Sequence, residues 1–407
     1  MTAIRCAAYA FLSIWVLLFF FLSCEHSTDA AILESRHQFS LTIGKMEDQI
    51  DLIQLPGESF RQKIEMVMRN GFFYIGNGSA HKIMEFSSYG DLLTLFYNKM
   101  ENPAPILLNT DRQDSRVTNR KAFAYPFRQV GSLAVTNSGL LLVEDVVAPD
   151  RQEKDEELGS ILKYIVLRFN ADGEAIDYIG QEGIGGTPFP YINRIAVNVD
   201  DEVIVVTQTL KSWLLYSYGP KGNHLYTLQF SEESIPAPDH AIASIDSVIP
   251  STDERLIFIK VDYYADQSDE NSGQESSYGF SKSTIHWIDT KTGEFVGYVD
   301  LPPALRATGS VQLFNREENE VIQYVVGASA DGHFFLLSPS NEDMYLLVII
   351  DMAGMVRYRG YVRLNDRETA YRTFHVTEDG ILAAFIGGKI EAKVIMWRTD
   401  EFLRKSE

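Results

Sequence analysis

The stretch Ile64-Glu-Met-Val-Met-Arg-Asn-Gly-Phe-Phe-Tyr-Ile-Gly-Asn-Gly-Ser-Ala-His-Lys-Ile-Met-Glu-Phe-Ser-Ser-Tyr-Gly-Asp-Leu-Leu-Thr-Leu95 decides the fold. It holds four short apolar runs separated by polar turns. Asn70-Gly71 between two such runs is a strong hairpin signal, because both turn residues tolerate positive φ. Ser87 to Gly90 gives a second turn of the same kind. The pattern predicts four consecutive antiparallel strands.

The unit recurs along the chain, which is the mark of a repeat architecture. A second copy runs from Ser132 to Ile179, a third from Arg194 to Phe230 and a fourth from Ser247 to Val299. A fifth runs from Gln323 to Val362, and a sixth from Tyr371 to Trp397. With little helical periodicity, six such copies predict an all-β, six-bladed β-propeller. The sixth copy lacks a fourth strand, and Phe39 to Ile43 is a spare strand of suitable length. Pairing the two would close the ring and remove two exposed sheet edges. A seventh, divergent blade hidden in Glu47 to Pro56 plus Ala104 to Phe127 is the rival arrangement.

Residues Asn70 to Gly90 resemble an NHL repeat, with its Asp-Gly turn, Ile-Tyr-Val-Ala-Asp strand, Asn-His-Arg-Ile, Phe and Gly. The other copies resemble it more loosely. Together with the N-terminus, the chain resembles a family of spirochaete lipoproteins with NHL-like propellers, which implies the same fold and no particular activity.

That N-terminus carries Arg5, an uncharged apolar stretch from Cys6 to Ser23, and then Cys24-Glu-His-Ser-Thr-Asp29. A basic start, an apolar middle and a small residue before a polar junction form a secretory signal pattern. Leu22-Ser23-Cys24 resembles a bacterial lipobox, although Phe21 and Leu22 stand where Leu and a small residue are usual. The resemblance implies lipidation at Cys24, whose thiol would carry the anchor as a thioether. Residues 1–23 are then a signal peptide, 24–38 a tether and 39–407 the propeller. The protein is expected in the cell envelope, held on a bacterial membrane by its acyl chains. An uncleaved apolar anchor and ordinary secretion are the alternatives.

A formal net charge of −20 repels phosphate backbones, so nucleic acid is not an expected partner. No cysteine follows Cys24, which excludes disulfides, Cys-ligated zinc and thiol nucleophiles from the folded body. The eight histidines show no paired metal-ligand spacing, and no Gly-x-Ser-x-Gly elbow occurs. Asp145, Asp246 and Asp262 lie near strand ends where channel ligands for a metal could sit. Asp is too common here for this to assign a metal, and no cofactor is expected. Gly183-Ile-Gly-Gly-Thr187 precedes a proline and reads as a connection between blades, not a phosphate loop. Trp213, Trp287 and Trp397 occupy third-strand positions and are expected to pack between blades.

Copies two and four are longer than the rest, through Pro149 to Glu157 and Asp262 to Tyr278. Both insertions fall on one face of the ring, where binding loops of a rigid scaffold gather. The expected function is a lipid-anchored module holding a protein partner on that loop-rich face. A metal-dependent hydrolase or lyase of the six-bladed type is the alternative.

Overall fold

The computed structural model describes residues 31–52, 63–108, 120–252, 255–266, 278–304, 321–341, 343–365 and 367–403. Among them, six sheets, antiparallel apart from one edge pair, form a six-bladed propeller. Blade 1 contains β2 (Ile64–Arg69), β3 (Phe72–Asn77), β4 (Lys82–Phe86) and β5 (Leu92–Tyr97). A fifth strand, β6 (Lys121–Ala124), pairs parallel to β5, so part of the stretch weighed as a seventh blade is an edge strand of blade 1. Blade 2 contains β7 (Leu133–Val135), β8 (Leu141–Val146), β11 (Tyr164–Phe169) and β12 (Ala175–Gly180), edged by β13 (Gly183–Ile184). Blade 3 contains β14 (Tyr191–Val197), β15 (Val203–Gln208), β16 (Trp213–Tyr218) and β17 (His224–Phe230).

Blade 4 contains β18 (Ala241–Pro250), β19 (Leu256–Asp266), β20 (Tyr278–Asp289) and β21 (Phe295–Asp300). Its middle strands run well into the expected insertion, because Val261 to Asp266 pair with Thr284 to Tyr278, with one bulge at Ser281, and prolong the hairpin. The tip of that insertion, 267–277, lies outside the described residues. The other insertion folds on itself as a small hairpin of β9 (Glu153–Asp155) and β10 (Ser160–Leu162). Blade 5 contains β22 (Tyr324–Ala328), β23 (Phe334–Asn341), β24 (Met344–Ile350) and β25 (Val356–Arg363).

Blade 6 contains β26 (Thr369–Val376), β27 (Leu382–Gly388) and β28 (Glu391–Trp397), and β1 (Arg36–Thr42) supplies its outer strand. Phe39 pairs with Val394 and Leu41 with Ala392, closing the ring between its two ends. The closing strand begins at Arg36, within the stretch read as a tether. Chain as early as Ala31 is already bonded to the propeller, since its carbonyl accepts from Tyr361 N–H at 2.9 Å. Cys24 lies outside the described residues.

Local chemistry explains the turns. Asn70 and Gly71 both take positive φ, 50° and 79°, as the tight β2–β3 hairpin requires. Gly90, at φ 82°, lies against Phe39, and a Cβ there would stand 2.5 Å from the Phe39 Cβ. Side chains alternate across each strand, so every blade buries one face on the blade before it and the other on the blade after it. Phe39, Ile64, Phe73, Phe86, Phe385 and Val394 join blade 6 to blade 1 in one such layer. Trp213 and Trp397 are buried between blades and Trp287 is half-buried there, as their third-strand positions predict.

Two faces follow from this topology. The β2–β3 and β4–β5 type of turns lie on one face, here the turn face. The second-to-third-strand loops and the links between blades lie on the other, the loop face. On the turn face, neighbouring blades are tied turn to turn: Val199 N–H donates to Thr252 O at 2.8 Å and Ala330 N–H to Glu378 O at 3.0 Å.

Candidate functional site: the central channel and an aromatic pocket

The three acidic candidates do not converge. Asp262, on β19, accepts from Lys260 Nζ at 2.7 Å and from the Ser283 hydroxyl at 2.5 Å, and Asp246 lies 3.5 Å from the same Lys260. Lys260 is fully buried, so this group is an internal ion-pair cluster that satisfies itself. Asp145 stands apart on β8, where its Oδ1 accepts the backbone N–H groups of Arg128, Gln129 and Val146. Those bonds fix the link between blades 1 and 2. Burial nevertheless pushes the Asp145 carboxyl up to about 6. Among the described residues, no three His, Cys, Asp or Glu side chains gather as a cation site.

The channel is built from the first strand of every blade, and two levels of polar side chains project into it. At the loop face, Lys63 donates to Glu144 Oε2 at 2.8 Å and to the Ile192 carbonyl at 2.5 Å, and lies over the Tyr191 ring. The Tyr371 hydroxyl donates to the Ile64 carbonyl at 2.7 Å, adding blade 6 to the same level. One lysine thus links blades 1, 2 and 3 across the upper channel.

Below this level, toward the turn face, lies a cavity of about 290 Å³. Glu65, Arg194 and His375 enter it from blades 1, 3 and 6, among walls that include Val67, Leu133 and Phe374. Burial raises the Glu65 carboxyl above the ordinary carboxylate range, opposed by the charges of Arg194 and Lys63. Burial also holds His375 down at about 4, so its ring is neutral near pH 7. Arg69 borders the cavity but is engaged, donating to Glu378 at 2.7 Å and to Asn137.

A second concavity, about 500 Å³, lies on the outer part of the loop face, where blade 4 faces blade 3. Lys282, Thr284 and His286 alternate along β20, so all three project to this side. Tyr263 lies opposite Lys282 on β19, and Tyr298 opposite His286 on β21. The His286 ring stacks on Tyr298, with centroids 5.4 Å apart at 27°, and meets Phe295 edge-on at 5.9 Å. Its Nε2 is 2.8 Å from the Tyr263 hydroxyl, which also donates to the Pro236 carbonyl at 2.7 Å. Pro236, Ala237 and Pro238, on the link from β17 to β18, form the opposite wall. Burial keeps His286 below its ordinary value, so it contributes a neutral aromatic ring. Val296 and Tyr298 remain more than half exposed at the rim.

Neither group was visible as a motif. Glu65, Arg194 and His375 are spread over three blades, and only ring closure brings them together. His286 stood in the sequence as one histidine without a paired neighbour. The strand alternation around it was legible, but the proline wall that turns this face into a pocket comes from another blade.

No family model and no curated protein sequence matches the chain. Several solved structures align with most of the chain at low identity. A PL25 ulvan lyase aligns over 89% of this chain and 83% of its own, with 12% identity and a TM-score of 0.37. A regucalcin from Agrobacterium tumefaciens, described as a calcium-binding protein, aligns over 91% and 95%, with 10% identity and a TM-score of 0.40. A putative gluconolactonase aligns over 92% and 97%, with 10% identity and a TM-score of 0.38.

Proposed function

We propose that this propeller is a lipid-anchored cell-envelope module that holds a protein partner on its loop face, with Cys24 as the acylated residue. The observation that carries the reading is the pocket of Tyr263, His286, Phe295 and Tyr298 against Pro236 and Pro238. Rigid aromatic groups set in a desolvated hollow with an exposed rim are the usual anchors of protein recognition, because they bury much area at little entropic cost. The pocket lies beside the β19–β20 hairpin, on the side of the ring that bears both insertions. The acidic net charge favours a basic surface on the partner.

A photo-crosslinking side chain placed at Val296 in the intact cell tests this. One discrete crosslinked protein is expected, and it should disappear in Tyr298→Glu while the propeller stays folded. Absence of any crosslink, or one indifferent to Tyr298→Glu, would overturn the reading. The anchor has a separate test: Cys24→Ser should abolish acyl incorporation and release the protein from membranes. A Ser variant that stays membrane-bound points instead to an uncleaved apolar anchor.

A further inference from the structure

We infer that the cavity in the central channel binds a small monocarboxylate, held by the guanidinium of Arg194. Among the described residues, Lys63, Arg69 and Arg194 line or cap this channel, and the first two are satisfied. Lys63 is bonded to Glu144 and the Ile192 carbonyl, and Arg69 to Glu378 and Asn137. Among the described residues, no hydrogen bond and no ion pair within 4.0 Å reaches Arg194; Glu65 acts on it only through its charge. A guanidinium presents five N–H donors in a fork that matches a carboxylate, and Arg194 is part-buried with its donors open to the cavity.

The cavity supplies the remaining requirements. Its 290 Å³ is at the lower end of the range that holds small-molecule ligands. It reaches the turn face, where Asn70, Gly71 and Asp379 are exposed. Apolar walls from Val67, Leu133 and Val376 suit a hydrocarbon remainder. Glu65 faces the charge of Arg194, and once ionised it would repel a second negative charge on the ligand. Glu65 offers a polar contact to a neutral or hydroxyl-bearing ligand tail instead.

Titration calorimetry on the full chain in detergent, with propionate, lactate and isovalerate, tests the assignment. Isovaleramide, succinate and sulfate serve as controls. Saturable one-to-one binding of at least one monocarboxylate is expected, weaker by about tenfold or more for each control. Arg194→Gln should weaken it by at least about tenfold, and Glu65→Gln should tighten it at alkaline pH, once the raised Glu65 carboxyl has ionised, by removing the neighbouring negative charge. The inference is overturned if no monocarboxylate binds, if sulfate binds equally well, or if a folded Arg194→Gln binds normally. Should Arg194→Gln fail to fold, the Glu65 variant at alkaline pH decides: unchanged or weaker binding there overturns it.

Discussion

Lys63 Nζ stands 2.8 Å from Glu144 Oε2, joining the chain just before the first strand of blade 1 to the second strand of blade 2 across the upper channel. Glu144 is buried, its Oε2 also accepts Ser132 N–H at 2.8 Å, and its Oε1 has no partner among the described residues. The lysine is therefore the counter-charge for a carboxylate that water does not reach. Lys63→Met should cost about 3–5 kcal/mol, the usual loss when one member of a buried pair is left alone. Adding Glu144→Gln should restore much of it. Urea unfolding of the single and double variants decides, and equal stabilities would refute this account.

The closing strand makes a second prediction. Phe39 is buried between the Phe73 and Phe86 rings, at centroid distances of 5.5 and 5.2 Å. Phe39→Ala should cost about 3–5 kcal/mol, as for other large-to-small core changes. The loss should appear as one cooperative transition at lower denaturant, because the ring depends on this seam. A loss below about 1 kcal/mol would mean that β1 is dispensable for closure.

Arg168 ties blade 2 to blade 3. It makes two 2.7 Å bonds to Asp177, from Nε and Nη2, and donates from Nη1 to the Pro220 carbonyl at 3.2 Å. A lysine keeps the charge but cannot reproduce the planar fork. Arg168→Lys should cost about 1.5–3 kcal/mol in chemical denaturation, and a change within about 0.5 kcal/mol would contradict it.

Asp145 gives a pH prediction. Its carboxyl is pushed by burial from an ordinary 3.8 up to about 6 in the folded protein. Between those values the folded state holds a proton that the unfolded state has released. Stability therefore falls as pH rises through that window. Asn at this position can keep all three backbone bonds on Oδ1 without the charge. Asp145→Asn should match the parent near pH 4 and exceed it by about 1–3 kcal/mol at pH 7. Parallel stability curves for the two proteins would rule this out.

How much was legible in the sequence follows from the range of the interactions involved. The β2–β3 and β4–β5 hairpins were readable because turn chemistry and strand alternation act over a few residues. Asn70-Gly71 sits where positive φ is needed, and Phe39 to Thr42 of the spare strand pair with the incomplete last blade. Six blades and their closure were thus determined by the chain itself. The length of the blade 4 hairpin was less legible, since Asp262 to Asp266 are polar enough to read as loop. They are strand because their backbone pairs with β20, and the buried Asp262 carboxylate is met by Lys260 and Ser283.

Only the tertiary structure decided where the chemistry lies. Arg194, Glu65 and His375 are ordinary strand residues until six inner strands are bent into one ring and their inward faces converge. Asp145 and Asp262 had the composition of a site but were drawn into separate blades, one committed to backbone N–H groups and the other to Lys260. Local sequence sets the direction in which each side chain projects from its strand. Which side chains then share a cavity depends on the curvature of the whole ring, which no single stretch of the sequence encodes.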